Sequence, residues 1–239
     1  MKLKKTLKIT AGILVFLTLP SLLFFGYLYI RYDEDLPVGS NPEQADVLAH
    51  KMLKALDYEA YQNTNYIEWL FKRRRFYKWQ KDKQTCVVNW KDYKVDINLK
   101  DYTLSKVYIH NFSVEGEIAK ELIDKAVKYF NNDSFWLVAP YKVFDKGTKR
   151  SIVTQEDGSQ ALMVTYTSGG TTPGDTYLWH LDETGKPTSF QMWVSTLPIG
   201  GLEASWTDWT TTDSGANLPT LHKLLFLGIE LNEIKGTSD

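Results

Sequence analysis

Cysteine is almost missing from this chain: Cys86 stands alone among 239 residues. One thiol cannot close an intramolecular disulfide, so a disulfide-stapled scaffold is excluded, as is a structural zinc site built on cysteines. An excess of either charge is missing too. The 28 lysines and arginines face 29 aspartates and glutamates, giving a net charge of −1 and a pI near 6.4. That balance disfavours a protein that holds nucleic acid through bulk charge. Histidine is sparse: His50, His110, His180 and His222 are scattered, with no HExxH pattern. No serine sits in a nucleophile elbow, and no internal repeat or low-complexity segment is visible. What the chain has in quantity is aromatic side chains, 14% of residues, including 8 tryptophans. With so little net charge, this is too apolar for disorder. The length suits about one domain plus an appendage.

The appendage is at the amino terminus. Lys2, Lys4, Lys5 and Lys8 precede an uncharged run from Ile9 to Ile30, which Arg31 ends. Those 22 residues make a helix of roughly 33 Å at 1.5 Å per residue. That is enough for a bilayer core, which needs about 20 apolar residues. The lysines place the N-terminus in the cytoplasm by the positive-inside rule. The alternative is a cleaved signal peptide, whose apolar core runs to about 7–15 residues before a small-x-small site. Here the run is longer and leaves through Gly26-Tyr27-Leu28-Tyr29-Ile30-Arg31, which suits a membrane interface better. The expected organisation is a basic cytoplasmic tail (1–8), a single-pass anchor in the inner membrane (9–30) and a linker (31–40). A periplasmic domain (41–236) and a short tail (237–239) follow. Without the four N-terminal lysines the external part keeps 24 bases against 29 acids, a net of −5.

Beyond the linker the hydrophobic period alternates between helical and extended. Asn41-Pro42-Glu43-Gln44 reads as a helix start, with Asn41 as cap and Gln44 at the capping-box position. Val47, Leu48, Met52, Leu53 and Leu56 then carry a helix to about Ala60. From Asn65 the period becomes two. Short strands follow around 66–71, 76–79, 86–90, 94–99 and 106–110, joined by polar turns. Glu115–Phe130 returns to helical spacing, and Asn131-Asn132 is expected to stop it. Asp133 then caps a short helix starting at Ser134. Further strands are predicted at 152–154, 161–167, 177–181, 189–194, 203–211, 221–226 and 229–233. The reading is α+β: an open antiparallel β half-barrel of about ten strands with helices packed on its concave face, preceded by one transmembrane helix.

Three segments carry a resemblance: Tyr66-Ile67-Glu68-Trp69 through Tyr77-Lys78-Trp79, Asn132 through Asp145, and Pro173-Gly174-Asp175-Thr176-Tyr177. Together with the anchor and linker, they make the chain resemble the LolA/LolB-like lipoprotein-carrier superfamily, and more closely a membrane-anchored bacteroidete branch of that fold. The resemblance spans about residues 41–236, although only the short motifs are specific. It implies a cavity between sheet and helices that takes acyl chains; the branch itself offers no activity to carry over.

The candidate ligand wall is Trp69, Phe71, Trp79, Trp90 and Trp136. These are the residue types that line apolar pockets and equally those that fill β cores. Lys72-Arg73-Arg74-Arg75 is the densest basic run. Arg73, Arg74 and Arg75 are candidates for gripping phosphate or carboxylate headgroups, and the alternative is a solvated hairpin tip. Ser168-Gly169-Gly170-Thr171-Thr172-Pro173-Gly174-Asp175 is glycine-rich but lacks the lysine and following helix of a phosphate loop. His180 and Asp182 share one face of a strand without a nucleophile at hand. Cys86 lies in an apolar strand and reads as inert. No catalytic residue, metal, cofactor or nucleic-acid partner is expected. The expected partner is a membrane lipid or a lipidated protein. The alternatives are an envelope scaffold whose own helices fill the cavity and, behind that, a hydrolase.

Overall fold

The computed structural model describes residues 2–169 and 172–239. Gly170 and Thr171 of the glycine-rich loop lie outside the described residues. Helix α1 (Lys2–Tyr32) is long and apolar enough over Thr6–Tyr32 to cross a membrane, a property of length and composition that signal sequences share. Helix α2 runs over Pro42–Ala55 and helix α3 over Tyr58–Asn63. Two expectations fail here. Asn41 does not cap α2: its backbone is left-handed at φ 51° and its side chain makes no capping bond. Ser40, held to Ile152 by paired backbone hydrogen bonds of 2.9 and 2.7 Å, makes the chain reverse at Asn41 instead. The helix also ends at Ala55 rather than Ala60. Asp57, at φ 56°, breaks it and caps α3 by accepting from the Ala60 N–H at 3.2 Å.

The strands are β1 (Tyr66–Phe71), β2 (Arg75–Gln80), β3 (Thr85–Trp90), β4 (Tyr93–Asn98), β5 (Lys106–Ile109) and β6 (Phe112–Val114). Helix α4 (Glu117–Val138) follows. The chain continues through β7 (Thr148–Thr154), β8 (Gln160–Tyr166), β9 (Thr176–Leu181), β10 (Pro187–Trp193) and β11 (Leu202–Ser205). It ends with β12 (Asp208–Thr211), β13 (Asn217–Leu224) and β14 (Leu227–Thr237). They form one open sheet of 14 strands in the order β6-β5-β4-β3-β2-β1-β14-β13-β11-β10-β9-β8-β7, with β12 paired to β13. Among the described residues, neighbouring strands pair antiparallel throughout.

The open antiparallel sheet with its helices is the predicted architecture, but the count is 14 rather than about ten. The predicted strand 203–211 is two strands, interrupted at Trp206, which is fully buried. Strand β6 is only three residues long, and the Thr148–Ser151 half of β7 lacks an apolar alternation that would announce it. Strand β14, the longest at 11 residues, bridges β13 to β1 and so joins the two halves into one open sheet.

Alternation sets the core. Ile67, Trp69 and Phe71 on β1, Val88 and Trp90 on β3, and Val95 and Ile97 on β4 are buried together. Helix α4 covers this inner face, packing on β4, β5 and β13, and α2 packs on β7 and β8. Helix α4 does not stop at Asn131-Asn132, and Asp133 caps nothing. The helix continues to Val138 with Asp133 fully buried in its interior.

Residues 33–40 form a strap across the back of the second half-sheet. Trp193 on β10 donates its indole N–H to the Glu34 carbonyl at 2.8 Å, and Gln191 donates to the Glu34 carboxylate at 3.0 Å. Gly39 lies against the side chains of Ser151 and Met163, where any Cβ would collide, and Ser40 then joins β7. Glycine is required there for close approach rather than for a special φ.

Candidate functional site

Beside α4 the inner layer does not fill the sheet. A cavity of about 460 Å³ remains, within the range of about 300–1,000 Å³ usual for small-molecule sites. Helix α4 supplies Phe130, Asn131, Asn132, Ser134, Phe135 and Trp136 to its wall. Strand β2 supplies Trp79, β8 Tyr166, β9 Tyr177, β10 Met192 and β13 Leu224, and Val194 and Leu197 extend the wall beyond β10. The rim carries Lys142, Asp145 and Lys146 on one side and Thr172 and Asp175 on another.

The aromatic wall is continuous with the core. The Phe135 ring packs on Tyr177 at 4.7 Å and edge-on against Tyr166 at 5.5 Å. Tyr177 and Trp136 both contact Phe190, at 5.1 and 5.5 Å, and Phe190 meets buried Trp179 and Trp206. Such rings are held by their neighbours, so the wall is preformed. Most polar groups at the rim are already paired. Lys142 Nζ lies 2.8 Å from the Asp145 carboxylate. Asp175 accepts from Thr172 Oγ1 at 2.5 Å and from the Ser195 N–H at 2.9 Å. The Tyr166 hydroxyl is buried and has no hydrogen-bond partner among the described residues. Burial raises the Tyr166 and Tyr177 phenols above their ordinary range, so both stay neutral donors at physiological pH.

Of the predicted wall, Trp79 and Trp136 face this cavity; Trp69, Phe71 and Trp90 lie elsewhere. Trp69 is fully buried and stacked on Tyr77, with centroids 4.4 Å apart and an 11° interplanar angle. Phe71 and Trp90 are core residues, and Trp90 is edge-on to Tyr129 at 5.6 Å. The three arginines separate as well. Arg73 is exposed and pairs with Glu230 at 3.0 Å, and Arg74 is exposed. Arg75 turns inward. Its guanidinium donates to both Asp133 oxygens, at 2.5 and 3.1 Å, between the rings of Phe71 and Tyr129. Tyr77 donates to the same carboxylate at 2.5 Å. Burial alone would lower the Arg75 guanidinium's pKa, but the bonds and charge of Asp133 outweigh it and raise it. Lys81, from the same basic stretch, sits over the Tyr61 ring at 3.8 Å, and burial pulls its ammonium down to about 8.

The cations that do line the cavity, Lys142 and Lys146, come from the segment after α4. No sequence signal marked them, nor Phe135, Tyr166 and Tyr177 as one wall. The Asn132–Asp145 motif, singled out for its resemblance, contributes Phe135, Trp136, Lys142 and Asp145 to the lining. Among the described residues, neither histidine nor cysteine lines the cavity, and no group of three or more His, Cys, Asp or Glu side chains is disposed to hold a metal. His180 meets Gln191 at 3.3 Å, while Asp182 accepts from the Thr184 and Lys186 N–H groups and shapes its own turn. The His–Asp pair of the hydrolase reading is therefore not assembled.

The fold and the cavity define a class: an open antiparallel sheet with a helical inner layer and a preformed, partly aromatic pocket between them. Among solved structures the chain is similar to a DUF1329 family protein from Desulfovibrio piger, at 12% identity and a TM-score of 0.43, over 82% of this chain and 93% of that one. No protein-family model matches the chain, and no curated protein matches it.

Proposed function

We propose that this is a membrane-anchored protein of the cell envelope whose external domain binds a lipid-like ligand, or the lipid of a lipidated partner, in the cavity beside α4. The observation that carries the reading is the preformed cavity of about 460 Å³, walled by Trp79, Phe130, Phe135, Trp136 and Tyr177. Burying each methylene of an acyl chain there contributes about 0.8 kcal/mol. The resemblance to lipoprotein carriers points the same way. In this reading α1 is an uncleaved anchor in the inner membrane and the domain lies in the periplasm. The same open volume weighs against a scaffold whose helices fill the sheet. The test is native mass spectrometry of residues 33–239, a chain that keeps the strap, secreted and purified without detergent. A stoichiometric acyl-bearing adduct is expected. A bare mass that persists after incubation with membrane lipids would refute the reading.

A further inference from the structure

The last turns of α1 are not free of the domain. Phe24, Leu28 and Tyr32 recur every four residues, so they share one face of the helix. That face meets the domain. Tyr32 packs on the core, Leu28 is buried in it, and the Phe24 ring lies 6.0 Å from the ring of Phe226. The helix is held in this pose just past its end, where the Gly200 N–H donates to Asp33 at 2.8 Å and the Glu34 N–H to the Gly200 carbonyl at 3.1 Å.

Phe226 belongs to the two-residue turn between β13 and β14, where Leu224 pairs with Leu227. Its chemistry is wrong for water. Phe226 is 70% exposed, and Leu225 and Leu227 beside it are exposed too. Leu225 also holds a left-handed backbone, φ 52°, at a position where tight hairpins take glycine or asparagine. A β-turn that faces solvent has no physical reason to place three large apolar residues at its tip and to accept backbone strain for them.

Phe24 supplies the reason. It lies six residues before Ile30, roughly 9 Å back along the helix axis, well inside the apolar run. A side chain packed on Phe24 shares its depth. Resting on the reading of α1 as a membrane span, we infer that the 225–227 tip is a membrane-docking wedge. It is immersed in the acyl region of the same bilayer that α1 crosses, on the leaflet nearest the domain. Leu224, at the base of this hairpin, and Leu197 line the cavity. The wedge thus sets one wall of the cavity against the bilayer.

The test uses the full chain in phosphatidylcholine–phosphatidylglycerol vesicles, with an environment-sensitive fluorophore on a single introduced thiol. Cys86 is buried and does not compete for label. Phe226→Cys is compared with Phe16→Cys, in the middle of the run, and with Phe112→Cys, 77% exposed at the β5–β6 turn. None of the three touches the domain core, so the labelled chains fold. The expected result is a Phe226 label quenched by acyl-chain nitroxides to within twofold of the Phe16 label and shielded from aqueous iodide. The Phe112 label should show the reverse. A Phe226 label that behaves like the Phe112 label while the Phe16 label is quenched overturns the wedge and leaves the anchor standing. If the Phe16 label is not quenched either, the anchor reading fails and the wedge falls with it.

Discussion

The sharpest energetic prediction concerns Asp133. A carboxylate with no exposed surface, in the interior of α4, is tolerable because Arg75 and Tyr77 donate three hydrogen bonds to it and the Asn132 amide a fourth, with Arg75 supplying the balancing charge. Arg75→Met removes two of those bonds and strands the charge. Removing one partner of a buried ion pair costs about 3–5 kcal/mol, because the other is left uncompensated. Loss of the Phe71 and Tyr129 ring contacts, 5.0 and 4.5 Å from the guanidinium, adds roughly 0.5–1 kcal/mol each. Against a total stability of about 5–15 kcal/mol, that is a large fraction. The sum is about 4–7 kcal/mol, and at about 2–4 °C per kcal/mol for a domain of this size the Tm should fall by roughly 8–28 °C. Asp133→Leu alone should cost a similar amount by stranding the guanidinium. The double variant Arg75→Met/Asp133→Leu should recover most of either loss, because the apolar replacement leaves no buried charge. The assay is urea unfolding of residues 33–239 followed by tryptophan fluorescence, which Trp69, stacked on Tyr77, should report. Single variants that cost under about 1 kcal/mol, or a double variant whose loss is the sum of the singles, would refute the argument.

Other consequences are as direct. Trp69→Ala should cost about 3–5 kcal/mol in urea unfolding as a core deletion, whereas Trp79→Ala should cost less and lower acyl loading in the native mass spectrum; equal effects on both readouts would merge core and site. Tyr166→Phe removes a hydroxyl that has no partner among the described residues, so it should cost no more than about 0.5 kcal/mol; a larger loss in the same unfolding assay would mean the hydroxyl is bonded. Burial lowers the His222 pKa from 6.5, so the unfolded chain binds the proton more tightly than the folded one. Its contribution is then complete above about pH 6.5 and is lost as pH falls toward the folded value, and His222→Gln should flatten that part of the pH–stability curve. A slope unchanged in the variant would assign the acid sensitivity elsewhere, first to Glu68, whose pKa burial pushes up but bonds from Lys235 and Tyr66 bring down below its ordinary range.

Much of the sheet was legible because period two survives in short strands. Ile67, Trp69 and Phe71 alternate, as do Val95 and Ile97, and all five are buried as the pattern requires. What failed depended on partners distant in sequence. Asp133 reads as a helix cap until Arg75, 58 positions earlier, is placed beside it. Trp69 and Trp79 both face inward from adjacent strands, and nothing local tells which one α4 covers and which one it leaves at the cavity wall. The turn at Leu225-Phe226 was hidden for the opposite reason. Its residues are apolar, so they read as strand where a polar or glycine-rich pair would have announced a hairpin.

A sheet that does not close keeps two rims, and each rim is an invitation to a strand from another molecule. One rim is answered by the chain itself: Ser40 takes up hydrogen bonds of Ile152 on β7, at the end of the strap. The other ends in β6, three residues long. Neither presents a long unpaired ladder. With one rim bridged at Ile152 and the other only three residues long, both are blunted against the addition of a strand from another molecule.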